Sequence, residues 1–117
     1  MSNSERLGLL RGIDELSRFD DSGLKSLLPF LDEVCVPGGV VVAQEGRLCH
    51  ELFIVTAGQL EICRRGRTSL IGPGDMYGWQ AMRGRGRHDA TVITRSAAHL
   101  LVMSHAQFRA ADALALA

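Results

Sequence analysis

The segment from Gly78 to Thr91, Gly-Trp-Gln-Ala-Met-Arg-Gly-Arg-Gly-Arg-His-Asp-Ala-Thr, holds the residue types in this chain best suited to binding chemistry. A glycine that opens a short helix lets the backbone come close to a ligand. The first N–H groups of that helix lack partners within it and point outward, toward an anion. Arg83, Arg85 and Arg87 add charge and planar donors suited to phosphate, and His88 beside Asp89 titrates near neutrality. From Arg64 to Arg95, seven arginines (Arg64, Arg65, Arg67, Arg83, Arg85, Arg87, Arg95) meet only Asp75 and Asp89, although the whole chain balances 13 basic against 13 acidic residues. The overall balance argues against a nucleic-acid or membrane-surface binder held by net charge. The local excess places an anionic ligand in the middle of the chain. Arg64, Arg65 and Arg67 flank Gly66 and read as the tip of a solvated hairpin.

Other chemistries are poorly supplied. A metal enzyme on a small cupin-like barrel needs convergent histidines and a carboxylate. Here His50 stands beside Glu51 while His88, His99 and His105 are scattered, with no two at ligand spacing on one strand. The cysteines, Cys35, Cys49 and Cys63, are odd in number and form no C-x-x-C pair. Lying in or beside apolar segments, they read as small core residues. Nothing resembles a nucleophile elbow. The reading is therefore non-enzymatic, with no metal or cofactor of its own.

The elements that must position the 78–91 segment follow from periodicity. At 117 residues and 46% hydrophobic content the chain fits one domain, 1–117, with one core. No apolar run reaches the roughly 20 residues of a membrane span, and the polar start Met-Ser-Asn-Ser-Glu-Arg lacks a signal peptide's apolar stretch, which reads as a soluble cytoplasmic protein. Ser2 and Glu5 have capping-box spacing before Leu7 and Leu10. Asp21 or Ser22 can cap a second helix with an apolar stripe at Leu24, Leu27, Leu28 and Leu31, kinked or ended near Pro29; together these are N-terminal helices over 3–31. From 33 to 104, short Val/Ile/Leu-rich segments are punctuated by glycine turns, the rhythm of a sandwich or jelly roll. Gln59–Ile62 alternates as a half-buried strand, and His99–Met103 reads as a fully buried one. Ser104 and Gln107 repeat the capping-box spacing ahead of Phe108, Ala111 and Ala115, a helix over 105–116. The expected fold is mainly β with flanking helices, a double-stranded β-helix of jelly-roll or β-roll type.

This pattern resembles the cyclic-nucleotide-binding domain of catabolite-activator type. Val36-Pro37-Gly38-Gly39-Val40-Val41 followed by Gln44-Glu45-Gly46 is similar to the family's opening hairpin, Leu52 through Gly58 to its next strand and turn, and Gly72-Pro73-Gly74-Asp75-Met76-Tyr77-Gly78 to the turn into its phosphate-binding cassette. The resemblance implies a ligand-sensing regulatory module whose candidate site residues are Gly78, Trp79, Gln80, Ala81, Met82, Arg87, His88, Asp89, Ala90 and Thr91. It also implies a carboxylate just after the cassette glycine, for the ribose 2′-hydroxyl, and an arginine before the Ala-Thr-Val strand, for the cyclic phosphate. Trp79 and His88 stand at those places. Each lost charge-assisted contact forfeits about 1.5–3 kcal/mol, so reduced or no affinity for cyclic AMP and cyclic GMP is expected. The ligand becomes a cyclic nucleotide or another small phosphate-bearing anion.

Two readings stay open at Arg87, which either takes over the phosphate or, by strand alternation, points outward. Trp79 is either a packing residue or a stacking platform. A protonated His88 would make anion binding stronger at pH 6 than at pH 8. The alternative function is a ligand-free roll that serves as a protein-interaction or homodimerisation module. Nine residues after Phe108 leave no length for a dimerising helix and a helix-turn-helix, so direct DNA binding is not expected of this chain. Because the histidines and cysteines lack ligand spacing, elemental analysis of the purified protein should find no stoichiometric transition metal; one metal per chain would overturn that expectation.

Overall fold

The computed structural model describes residues 1–84 and 86–116, with side chains through Ala111. Arg85 and the Ala115 side chain, each invoked above, lie outside the described residues.

Helix α1 (Asn3–Arg11) starts on the expected capping box: Glu5 N donates to Ser2 Oγ at 3.1 Å and Ser2 N to Glu5 Oε1 at 3.3 Å. A 3-10 turn (Asp14–Leu16) leads to α2 (Asp21–Leu27). The cap of α2 is Asp20, not Asp21 or Ser22. Asp20 has the extended backbone a cap needs and its Oδ1 accepts from Gly23 N at 2.8 Å, while the Asp21 carboxylate is paired with Arg11 at 2.7 and 3.0 Å. Pro29 ends the α-helical hydrogen bonding as expected, and Leu28–Phe30 tightens into a 3-10 turn. Leu7, Leu10, Leu24, Leu27 and Leu31 are all buried.

Among the described residues eight strands follow: β1 (Asp32–Val36), β2 (Val41–Ala43), β3 (Glu51–Ala57), β4 (Leu60–Arg64), β5 (Arg67–Ile71), β6 (Met76–Tyr77), β7 (Thr91–Thr94) and β8 (Ala98–Ser104). They form two four-stranded antiparallel sheets, β1-β8-β3-β6 and β2-β7-β4-β5, which close into a double-stranded β-helix. The opening hairpin implied by the resemblance is a corner instead: β1 pairs with β8 and β2 with β7, so residues 37–40 carry the chain from one sheet to the other. Thr94 fastens that corner. Its side chain is polar and buried, and its hydroxyl donates to Pro37 O at 2.6 Å while accepting from Val40 N at 2.9 Å. The hairpin between β4 and β5 turns on Arg65 and Gly66, both with positive φ, as a two-residue turn of matching twist requires.

Strands β3 and β8 are buried on both faces, and this divides the interior in two. Phe53, Val55 and Leu100 join Leu60, Ile62, Tyr77, Ala90 and Val92 between the sheets. Leu52, Ile54, Leu101 and Met103 turn the other way, under a lid made from the helical leucines, Trp79, Met82 and Phe108. Period-two alternation produces both cores from the same two strands. His99, however, is exposed at the start of β8. The cysteines divide likewise: Cys49 is buried, but Cys35 and Cys63 are exposed, because on β4 the core face is taken by Leu60 and Ile62 and Cys63 falls on the opposite one. Helix α3 (Trp79–Arg83) follows β6, and α4 (His105–Leu116) starts on Ser104 and Gln107, bonded reciprocally at 2.8 and 3.2 Å. Among the described residues no helix is long and apolar enough to cross a membrane.

Gly58 tests how tightly the roll is closed. At φ +89° its missing Cβ would lie 2.5 Å from Ala97 O and 2.8 Å from Ala98 Cα, whereas at Gly46, φ +85°, a Cβ meets nothing within 4 Å. In chemical denaturation Gly46→Ala should lose only the left-handed strain of about 1–2 kcal/mol, and Gly58→Ala should lose roughly 1–3 kcal/mol more. Equal losses would show that the approach of β8 to this turn is not a constraint.

Candidate functional site

The site begins at β6, whose Tyr77 and Met76 pair with Phe53 and Ile54 of β3. Gly78 follows at φ +103°, with space for a Cβ only 3.1 Å from Leu52 Cα and 3.3 Å from Glu51 O. A glycine here both supplies the left-handed turn and lets α3 start directly on β3. The helix is one turn long, Met82 N bonding to Gly78 O at 2.9 Å. Gly84 N to Gln80 O (3.1 Å) and Gly86 N to Ala81 O (2.7 Å) then reverse the chain.

The return segment, 86–88, runs as a short ladder against 46–49. Cys49 N donates to Gly86 O at 3.1 Å, His88 N to Arg47 O at 2.8 Å and Gly46 N to His88 O at 2.9 Å, with Leu48 and Arg87 bridged. The ladder decides which side chain reaches the site. Arg87 lines a cavity of about 380 Å3 together with Gly78, Trp79, Gln80, Ala81 and Asp89, and its Nη1 donates to Gly46 O at 2.9 Å. Four further residues line the same cavity: Glu15, Arg64, Met76 and Tyr77.

Of the ten residues singled out in the sequence, six are thus brought together. Met82 and Ala90 are held inside the two cores, at 1% and 0% exposure. The Thr91 hydroxyl faces the neighbouring loop, accepting from Glu45 N at 3.1 Å. The His88 ring lies flat against Tyr77, centroids 5.7 Å apart at 20°, and is not part of the lining. Arg64, read above as part of a solvated hairpin tip, belongs to the cavity instead, because it ends β4 next to β7 and there meets Asp89. The arginine excess from Arg64 to Arg95 was the signal in the sequence for it. Glu15, 63 positions before Gly78, gave none.

Trp79 is a packing residue. It is 7% exposed and meets Phe108 edge-on at 5.3 Å and Phe19 at 6.4 Å, so most of the indole belongs to the helical core and the cavity remains open.

The charges of the cavity are partly spent on each other. Arg64 Nε and Nη2 bond to the two Asp89 oxygens at 2.9 and 3.4 Å, and Tyr77 Oη donates to Asp89 Oδ1 at 3.2 Å. Burial alone would raise the Asp89 carboxyl, but Arg64 and the Tyr77 hydroxyl outweigh it and hold the group below the usual aspartate value. Burial, followed by the neighbouring Asp89 charge, pushes the Tyr77 hydroxyl up to about 12. Burial also lowers His88 below 6.5, with Asp89 and Glu51 opposing and His50 reinforcing, and among the described residues its Nδ1 is enclosed without a partner. A neutral His88 is therefore favoured, which removes the basis for expecting tighter anion binding at pH 6. Among the described residues no three His, Cys, Asp or Glu side chains converge as a metal site.

Comparison with known proteins bears on the family and the fold. Residues 33–112 match the family model described as the cyclic nucleotide-binding domain. The regulatory domain of Toxoplasma gondii PKA, solved with cAMP, superposes with a TM-score of 0.83 at 24% identity, covering 95% of this chain and 45% of that one. The cAMP-bound PfPKA-R superposes at 0.79 with 16% identity, covering 92% and 39%. A cyclic nucleotide-binding-like protein from Brucella abortus gives 0.80 at 17% identity and covers 93% and 98%. The chain thus spans less than half of the two PKA structures and nearly all of the Brucella one. No curated protein matches the sequence.

The enclosed His88 has a consequence for stability. Because its folded value lies below its unfolded one, the unfolded chain binds the proton more readily. Stability is full above about pH 6.5 and falls as the pH drops through the folded value. Melting temperatures measured from pH 7.5 to pH 5, above the carboxylate range, should fall more steeply for the parent than for His88→Asn; parallel curves would show that the ring is not held neutral.

Proposed function

The chain belongs to the cyclic nucleotide-binding domain family, and on that premise we propose that it is a non-catalytic regulatory module, one domain over 1–117, that senses a small phosphate-bearing ligand in the cavity beneath α3. The convergence of Arg87 with Gly78–Ala81 on one open cavity carries this reading. At about 380 Å3 the cavity falls in the size range of small-ligand sites. With Arg64 engaged by Asp89, Arg87 is the guanidinium left to receive a phosphate, since one Nη is bonded to Gly46 O and a guanidinium carries five donors. Two solved relatives carry cAMP, which makes a cyclic nucleotide the first ligand to try. Binding is weaker than in a site with both signature groups, because Trp79 is committed to the core and His88 to Tyr77. Free cysteines at 35, 49 and 63 suit a reducing, cytoplasmic setting.

A second reading, a ligand-free roll that binds a partner chain or a second copy, is favoured by Leu70 on edge strand β5 and Val41 on edge strand β2, 58% and 52% exposed. One calorimetric titration separates the two. Cyclic AMP or cyclic GMP should bind the parent with a dissociation constant weaker than about 1 μM, and Arg87→Ala should weaken it at least about tenfold. Submicromolar binding would overturn the expectation of weakened affinity, and no effect of Arg87→Ala would overturn the site assignment. Absence of any nucleotide binding combined with self-association in sedimentation would favour the scaffold.

A further inference from the structure

Away from the cavity, a thiol and an imidazole are held together at the edge of a sheet. Cys35 on β1 and His99 on β8 stand directly opposite each other in the antiparallel ladder, and Cys35 Sγ lies 3.3 Å from His99 Nδ1. Both residues are exposed. β1 is an edge strand, and every residue on it from Asp32 to Cys35 is exposed. On β8, His99 shares its face with Leu101 and Met103, which the helical lid covers, but the lid does not extend over His99. Residues paired directly across a ladder have Cβ atoms about 4.5–5.5 Å apart, so the strand register brings the sulfur to the nitrogen. Thr56 Oγ1, donating to His99 O at 3.1 Å, fastens β8 at that position.

The other two thiols lack this arrangement. Cys49 is buried, and its Sγ donates to Glu51 O at 3.3 Å. Cys63 is exposed, but its ladder partners are Thr68 and Thr91, and a hydroxyl is no base. Among the described residues no third His, Cys, Asp or Glu side chain joins Cys35 and His99, so the pair is two ligands short of a closed zinc site. The chemistry left to it is that of a nucleophile beside a base, the pairing that activates a cysteine.

We propose that Cys35 is a modification site, a thiol that takes up one half of a small disulfide with His99 as its base. In the tautomer that carries its proton on Nε2, the ring accepts the S–H proton at Nδ1. Cys35 Sγ attacks one sulfur of the disulfide as that proton passes to Nδ1. The new S–S bond forms, the old one breaks, and the departing thiolate takes the proton from the imidazolium and leaves as a thiol. The Cys35 sulfur is oxidised, the departing sulfur is reduced, and no further oxidant is needed. This reaction is independent of any ligand in the cavity. The alternative is a contact that only steadies the edge strand, with Cys35 no more reactive than Cys63.

The test uses glutathione disulfide on the full chain at pH 7, with mass-spectrometric mapping of the adduct at each cysteine over time. An ordinary thiol is already partly ionised at that pH, so a base adds about tenfold and not the larger factor it gives a hydroxyl. Cys35 should therefore react about tenfold faster than Cys63 in the same molecule. His99→Ala, and His99→Asn, which keeps polarity without a base, should each bring Cys35 down to the rate of Cys63 while Cys63 itself is unchanged. Buried Cys49 gauges folding and should stay unmodified throughout. Equal rates in the parent would overturn the proposal, and so would an excess at Cys35 that survives either substitution. A faster Cys35 once the ring is removed would also overturn it, by showing that His99 only shields the sulfur.

Discussion

The Trp79 indole lies where the first residue of α3, the turn before α2 and the last helix meet. Its edge-on contacts with Phe19 and Phe108 join three pieces of chain that share no backbone hydrogen-bonded pairing. An aromatic side chain of this size contributes more to such a junction than any other residue type, through buried area and through the ring-edge geometry that fixes orientation. The helical leucines supply the bulk of the apolar cluster, but Trp79 makes the cassette part of it. The geometry of the cavity depends on that attachment. α3 is a single turn, too short to hold its place by its own hydrogen bonds, and the helical lid grips it through Trp79 together with Met82.

On the other side of the cavity, position is set by backbone rather than by side-chain packing. The 86–88 segment pairs with 46–49, which puts Arg87 against Gly46 and the cavity, and His88 against Tyr77. Arg64 arrives at the end of β4 by strand register and closes on Asp89. These exposed pairs add little stability. Their effect is to neutralise part of the charge before any ligand enters and to leave Arg87 with unspent capacity. A site of this kind discriminates by the arrangement of its ligand's charge and donors more than by total charge.

The roll itself follows from the double burial of β3 and β8. Each strand places one set of apolar side chains between the sheets and the other under the helices, so the two cores cannot be rearranged separately. The narrow clearances at Gly58 and Gly78 lie on those same two strands, one against β8 and the other against β3. The cassette is therefore placed by the most constrained part of the molecule, while the 46–48 loop that pairs with the Arg87 segment is exposed and held largely by backbone bonds.

Much of this was legible in the residues. Helix starts at Ser2 and Ser104, the end of α2 near Pro29, the hairpin tip at Gly66, the all-β middle and the importance of 78–91 all rest on local rules: capping, ring constraint, positive φ and two-residue alternation act within a few positions of the chain. Local rules stop at the range of those interactions. They placed Cys35 and Cys63 in the core, gave Arg64 to solvent, and left both Arg87 and Trp79 with two orientations, while the resemblance drew β1 and β2 as a hairpin. Only the packing of one sheet on the other, and of the helical lid on β3 and β8, decided those points. Glu15 shows the limit most plainly. It is an unremarked acid between two helices until Phe19 packs on Trp79, because what brings it to the cavity is an aromatic contact made across 60 positions of the chain, and no periodicity records that.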